Sequence, residues 1–327
     1  MKLASLKNGS RDGQLTVVDR THTHAVSGAD IAPTLQAALD EWQIIEPLLA
    51  ARYQRLNDGL ENGAHRFESA DYTAPLPRAF QFLDGSVYLS HMEKARKARG
   101  ASMPDNYETE PLMYQGLSDS FVGPYDDVPF PSEDIGIDFE AEIGVIVDDV
   151  PMGTSREDAP QHIKLVVLLN DFTARNLTKT ELPKGFGFIQ SKPTSSFSPI
   201  AVSPSSLGEN WLDNRLSLPV HTSINGQQLG CPNAGEDMFF DFATLIAHAA
   251  RTRRLCAGTI IGAGAVSNKD ITAGYACIAE ARVEEQLAIG EPQTSFLKFG
   301  DSVKIDVLSH DGNSVFGSID QRIVRQQ

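Results

Sequence analysis

After Gly136 the chain carries six short stretches of strand character, at 141–147, 164–169, 218–224, 259–261, 276–283 and 302–307. Only two helical patterns interrupt them, at 156–163 and at 239–251, where Phe240, Phe242, Leu245, Ile246 and Ala249 recur at helical spacing. A doubly wound parallel sheet requires strands and helices in regular alternation, which this order does not supply. The expected fold class is therefore α+β and β-dominated.

The first part of the chain reads differently. Gln14 to Val18 and Thr23 to Val26 carry β-branched residues between Gly- and Asp-containing turns and fit a hairpin. From Asp30, a candidate N-cap, the residues Ile31, Leu35, Leu39, Trp42, Ile45, Leu48 and Leu49 predict one long amphipathic helix reaching Leu56. The stretch 57–77 is polar and broken by Gly59, Gly63, Pro75 and Pro77, which places a boundary there: a small amino-terminal domain over 1–75 and a main domain over 76–327. A length of 327 residues suits two such units. In the main domain, Ser86 to Arg99 predicts a helix with basic last turns, stopped by Gly100.

A formal charge of −15 and a pI near 4.9 disfavour the basic surface that nucleic acid or an anionic membrane requires. Cys231, Cys256 and Cys277 form neither a Cys-x-x-Cys pattern nor a disulfide framework, which predicts a reducing compartment. Met1 to Arg11 lacks the apolar core of a signal peptide, so a cytoplasmic location is expected.

Glu140 and Glu142 flank Ala141 at the start of a predicted strand, and side chains two apart on a strand share a face. Converging carboxylates repel unless a cation sits between them, and hard dications take oxygen ligands. The bland alternative is a solvated edge, as expected for Glu108 and Glu110 ahead of Pro111. Asp171 ends the apolar run 165–169, a position suited to a ligand or to an N-cap.

Phe139-Glu140-Ala141-Glu142, followed by Asn170-Asp171-Phe172-Thr173-Ala174-Arg175, resembles the metal-binding core of the fumarylacetoacetate hydrolase family. Asp84 seven residues before His91, Leu112-Met113-Tyr114-Gln115-Gly116, Ser191-Lys192-Pro193 and Gly258-Thr259-Ile260 resemble other family segments in the same order. The resemblance runs from about Phe80 to Asp306. It implies a mixed β-sandwich roll behind a smaller, barrel-like amino-terminal domain, in a homodimer. It also implies one divalent cation, Mg²⁺ or Ca²⁺ with Mn²⁺ as a third choice, held by Asp84, Glu140, Glu142 and Asp171.

The implied reaction is hydrolysis of a carbon–carbon bond in a small anionic diketo acid, first of all 4-fumarylacetoacetate to fumarate and acetoacetate in tyrosine and phenylalanine breakdown. His91 would be the general base. Glu280 would orient it, with Glu284 and Glu285 as alternatives. Arg175 and Lys192 would serve both catalysis and substrate binding, and Tyr114, Thr259 and Arg99 would contact substrate. Ser86 and Thr178 stand where animal members carry a tyrosine and a glutamine, and Thr178 retains one hydroxyl donor for an oxyanion. Relatives of the same fold hydrolyse acylpyruvates, decarboxylate oxaloacetate-like acids, or isomerise and hydrate. A calcium-stabilised β-sandwich binding module is the reading from another class.

Overall fold

A computed structural model of the chain describes residues 1–98, 102, 103 and 105–327. Arg99 and the Gly100 stop lie outside the described residues. The frame is a large mixed sheet running, edge to edge, through His65–Arg66, His24–Ser27, Gln14–Val18, Lys2–Leu6, Ala201–Val202, Ile163–Asp171, Ala141–Val147, Ile260–Gly262, Phe82–Gly85 and Met113–Gly116, with Ser195–Phe197 paired beside Ile163–Asp171. Most of its pairings are antiparallel, and Ile260–Gly262 runs parallel to Phe82–Gly85. A second, five-stranded sheet follows the order Gln227–Gly230, Val220–Ile224, Ser302–Val307, Ile319–Arg325, Val128–Phe130.

The strand Ile163–Asp171 shows why these sheets stack. Its residues alternate between two cores: Val166 and Leu168 pack with Val303, Ile305 and Ile319 of the second sheet, while Leu165, Val167 and Leu169 pack with Leu3, Leu35, Leu39 and Leu49 of the amino-terminal region. A strand buried on both faces needs apolar residues at every position, hence the unbroken run in the sequence.

Several expectations are corrected. The amino-terminal region is distinct but forms no closed barrel among the described residues: Lys2–Leu6 pairs with Ala201–Val202 and so carries its strands onto the main sheet. The single long helix is two, Leu35–Asp40 and Trp42–Asn57. Its start moves because Pro33 disfavours helical geometry at Ala32, and Thr34 rather than Asp30 accepts from the Ala37 amide as N-cap. Asp30 instead pairs with Arg52. The predicted helix at 156–163 is only a short 3₁₀ turn, Ala159–His162, and that at 86–99 begins at Leu89. The stretch 276–283, expected as a strand, opens the helix Ile278–Ile289. No helix among the described residues is long and apolar enough to cross a membrane.

Candidate active site

Strand register builds the site at one end of the main sheet. Glu142 pairs with Leu169 and Ala141 with Asn170, so the Glu142 and Asp171 ends of the two central strands lie side by side. On the other flank Gly262 stands opposite Gly144 and opposite Asp84. One carboxylate oxygen each from Asp84, Glu142 and Asp171 then lies within 4.8 Å of the others, and all three residues are buried. Glycine at 262 is required there, because a Cβ would sit 2.4 Å from Asp84 Oδ1 and 3.1 Å from Glu142 Oε2.

Glu140 is held apart from this trio. Its Oε1 accepts from Arg175 Nη2 at 2.6 Å, and its Oε2 accepts from Lys192 and from Thr173 Oγ1. Lys192 bridges Glu140 to Asp171, which also accepts from Tyr114 and, at 2.7 Å, from Ser195 Oγ. The four expected ligands are thus three gathered carboxylates and a fourth engaged by cations. Neither oxygen of the fully buried Glu142 meets a donor among the described residues. A buried carboxylate without a partner is costly, and an all-oxygen cluster fits a hard dication.

The charge balance points the same way. Asp84, Asp138, Glu140, Glu142 and Asp171 are buried against two cations, Lys192 and Arg175. Burial, then the charge on Asp171, pushes Asp84 up to about 7. Burial and the charges of Asp84 and Asp171 push Glu142 well above the ordinary carboxylate range. Burial opposes charge on Lys192, but Asp171 and Glu140 outweigh it and hold the ammonium charged. A dication or a retained proton are the two ways to neutralise the trio.

Beside the trio, His91 Nδ1 meets Glu280 Oε2 at 3.3 Å. Glu280 is buried in the first turn of the Ile278–Ile289 helix, where its other oxygen accepts from Ser267 Oγ at 2.7 Å and Lys94 Nζ at 3.2 Å. Burial pushes Glu280 up, but hydrogen bonds from His91 and Ser267 and the charge of Lys94 prevail and hold it below the usual range. The alternatives are engaged elsewhere: Glu284 pairs with Lys94 at 2.8 Å, and Glu285 accepts from the amides of Gln293 and Thr294.

His91, Arg175, Lys192, Tyr114, Ser86 and Thr178 line one cavity of about 350 Å³ together with Asp84 and Glu140. A larger cavity of about 620 Å³ lies beyond Tyr114 and Phe188 but contains none of the carboxylates, so the chemistry rather than the size locates the site. Two expected contacts fail. Thr259 does not reach the site: its carbonyl accepts from the Val147 amide, five residues along the strand from Glu142, roughly 17 Å at strand rise. The Thr178 hydroxyl is spent on the Arg175 carbonyl at 2.7 Å, while Lys192 and Arg175 remain among the charged donors that line the cavity.

Sequence reasoning missed Asp138. This buried carboxylate accepts from the amides of Phe139, Ile278 and Ala279 and, at 2.7 Å, from Arg175 Nε. It caps the helix that carries Glu280 and fixes Arg175 at once. Its position two residues before Glu140 was the available signal. Ser195 and Ser267 had none, because only strand pairing and packing bring them in.

Residues 81–324 match the family described as fumarylacetoacetate (FAA) hydrolase C-terminal, and residues 1–78 match fumarylacetoacetase N-terminal domain 2. The chain belongs to the fumarylacetoacetate hydrolase family. Its curated relatives include the 2,4-didehydro-3-deoxy-L-rhamnonate hydrolase of Sphingomonas sp. (strain SKA58), 25% identical over 64% of this chain and 70% of that protein. Oxaloacetate tautomerase YisK of Bacillus subtilis (strain 168) is 28% identical over 67% of this chain and 69% of its own length. The fumarylacetoacetate hydrolase of Exiguobacterium antarcticum superposes with a TM-score of 0.66 at 18% identity, covering both chains fully. The maleylpyruvate hydrolase of Sphingobium sp. SYK-6, solved with manganese(II) and pyruvate, gives 0.66 at 16% identity, also over the whole of both chains. The family assignment makes the chain an enzyme, and family relatives include both hydrolases and tautomerases.

Proposed function

We propose that this chain is a divalent-metal-dependent hydrolase that cleaves a carbon–carbon bond in a small anionic diketo acid, with 4-fumarylacetoacetate as the first substrate to test. The observation that carries the reading is His91, paired with Glu280, lining the same cavity as Asp84 of the carboxylate trio, in which Glu142 meets no donor among the described residues. Asp84, Glu142 and Asp171 would hold Mg²⁺, Mn²⁺ or Ca²⁺, since all three donors are hard oxygens. Such an ion supplies Lewis-acid stabilisation of negative charge developing on the substrate.

The protein's own residues account for the rest. Glu280 accepts from Nδ1 of His91, which leaves the Nε2 lone pair free to take a proton from water. The hydroxide adds to one substrate carbonyl, and the carbon–carbon bond breaks with its electron pair going to the departing fragment. His91 then returns the proton to that fragment's carbon, so the products are a carboxylic acid and a ketone. Lys192 and Arg175 place positive charge against substrate oxygens in a chain that is otherwise acidic. A base lining the same cavity as the carboxylates speaks against a purely structural calcium module.

A second reading is oxaloacetate tautomerisation, favoured by the Bacillus subtilis relative. The same base would then move a proton between carbon and oxygen without adding water. Loss of fumarylacetoacetate absorbance, sensitive to EDTA and restored by Mg²⁺, supports the hydrolase. No loss with metal restored, together with accelerated oxaloacetate enol–keto exchange, overturns it in favour of the tautomerase. His91→Ala is expected to bind Mg²⁺ by calorimetry while turnover falls about 10²–10⁴-fold, whereas Asp171→Ala should lose both.

A further inference from the structure

The active-site end of the sheet holds a second cluster with a different donor chemistry. Ligand atoms of His91, Cys277 and Glu280 lie within 4.8 Å of one another, and Cys277 and Glu280 are buried. Cys277 precedes the helix Ile278–Ile289 and pairs across to Glu140 through a backbone bridge, so its position is fixed by the same framework as the carboxylates. The oxygen trio presents three hard donors, but this cluster presents sulfur, nitrogen and one carboxylate oxygen.

We propose that His91, Cys277 and Glu280 form a second, inhibitory site selective for a thiophilic dication such as Zn²⁺. Zinc accepts a thiolate, an imidazole and a carboxylate at ~2.0–2.3 Å and leaves a fourth position for water. His91 lines an adjoining cavity of about 360 Å³, which gives that fourth position access to solvent. Glu280 Oε1 is held by Ser267 and Lys94, so Oε2 is the oxygen presented to His91. The ion takes the place of the proton between Nδ1 and Oε2; that proton moves to Nε2 and occupies the lone pair the base would use, while the Cys277 thiol proton is released to solvent. A dication with one thiolate and one carboxylate is locally neutral, which suits a buried position. Mg²⁺ has no preference for sulfur, so the two sites sort hard from soft ions.

The inhibitory part of this inference rests on His91 acting as the base, and the experiment separates the two. Full-length protein saturated with Mg²⁺ is titrated with Co²⁺, then with Zn²⁺. The expected result is a thiolate-to-cobalt charge-transfer band that saturates at one equivalent and is displaced by Zn²⁺. The band is lost in Cys277→Ser and in His91→Ala but kept in a Cys231→Ser, Cys256→Ser double variant. Turnover falls about a hundredfold or more as Zn²⁺ fills the site, and the remaining turnover of Cys277→Ser no longer responds to Zn²⁺. Absence of the band, or its survival in Cys277→Ser, overturns the site while leaving the proposed reaction untouched. A normal band with unaffected turnover supports the metal site and overturns the role of His91.

Discussion

Glu142 is the residue on which the centre turns. It is fully buried, its oxygens meet no donor among the described residues, and its neighbours are carboxylates. Glu142→Gln removes a buried ionisable group while its amide can donate to the adjacent carboxylates. In EDTA at pH 7–8 we expect the variant to be more stable in urea unfolding by roughly 1–3 kcal/mol, with its stabilisation by Mg²⁺ abolished. The pH dependence follows from Asp84, raised from 3.8 to about 7. Between those values the folded state keeps a proton that the unfolded state has lost, so this group's contribution to stability falls as pH rises through that window. Metal binding requires the ionised form. The rise in melting temperature produced by Mg²⁺ over EDTA should therefore be small near pH 5 and grow up to about pH 8; a constant increment would contradict it.

At the scale of elements, one carboxylate couples two parts of the site. Asp138 caps the Ile278–Ile289 helix through the amides of Ile278 and Ala279 and binds Arg175 on its other side. Asp138→Asn keeps the volume but loses the charge and one acceptor. We expect a loss of about 1–2 kcal/mol in unfolding free energy from the weakened cap, with kcat reduced more than KM because Glu280 and Arg175 shift together. The sequence pattern announced neither this cap nor the helix, because Ala276-Cys277-Ile278-Ala279 carries the small and β-branched character of a strand. The helix wins there through tertiary capping by a residue 140 positions earlier. The non-helical backbone of Glu41, φ −126° and ψ 36°, likewise divides the amino-terminal helix that hydrophobic periodicity had joined.

For the whole molecule, the amino-terminal region builds the core on one face of the large sheet. Its strands extend the large sheet, and its helices cover Ile146, Leu165, Val167 and Leu169. Re-exposing four such side chains costs about 1.5–3 kcal/mol each, comparable with the whole stability of an ordinary domain, about 5–15 kcal/mol. Residues 79–327 expressed alone should therefore show no cooperative melt and should aggregate by light scattering. A soluble, Mg²⁺-binding fragment would refute this.

The sequence by itself determined the β-dominated class, and its ordered local motifs, through their resemblance to the family, marked Asp84, His91, Glu140, Glu142, Asp171, Arg175 and Lys192 as candidates, because such motifs are written within a few residues. Tertiary structure alone decided how these residues divide their work. Register placed Thr259 just before the strand Ile260–Gly262, beside Val147 and away from the carboxylates, and Ser195 opposite Asp171, and packing set Glu280, rather than Glu284 or Glu285, against His91. Those outcomes depend on which distant segments meet and in what alignment, and spacing along one chain does not encode the alignment of its partner.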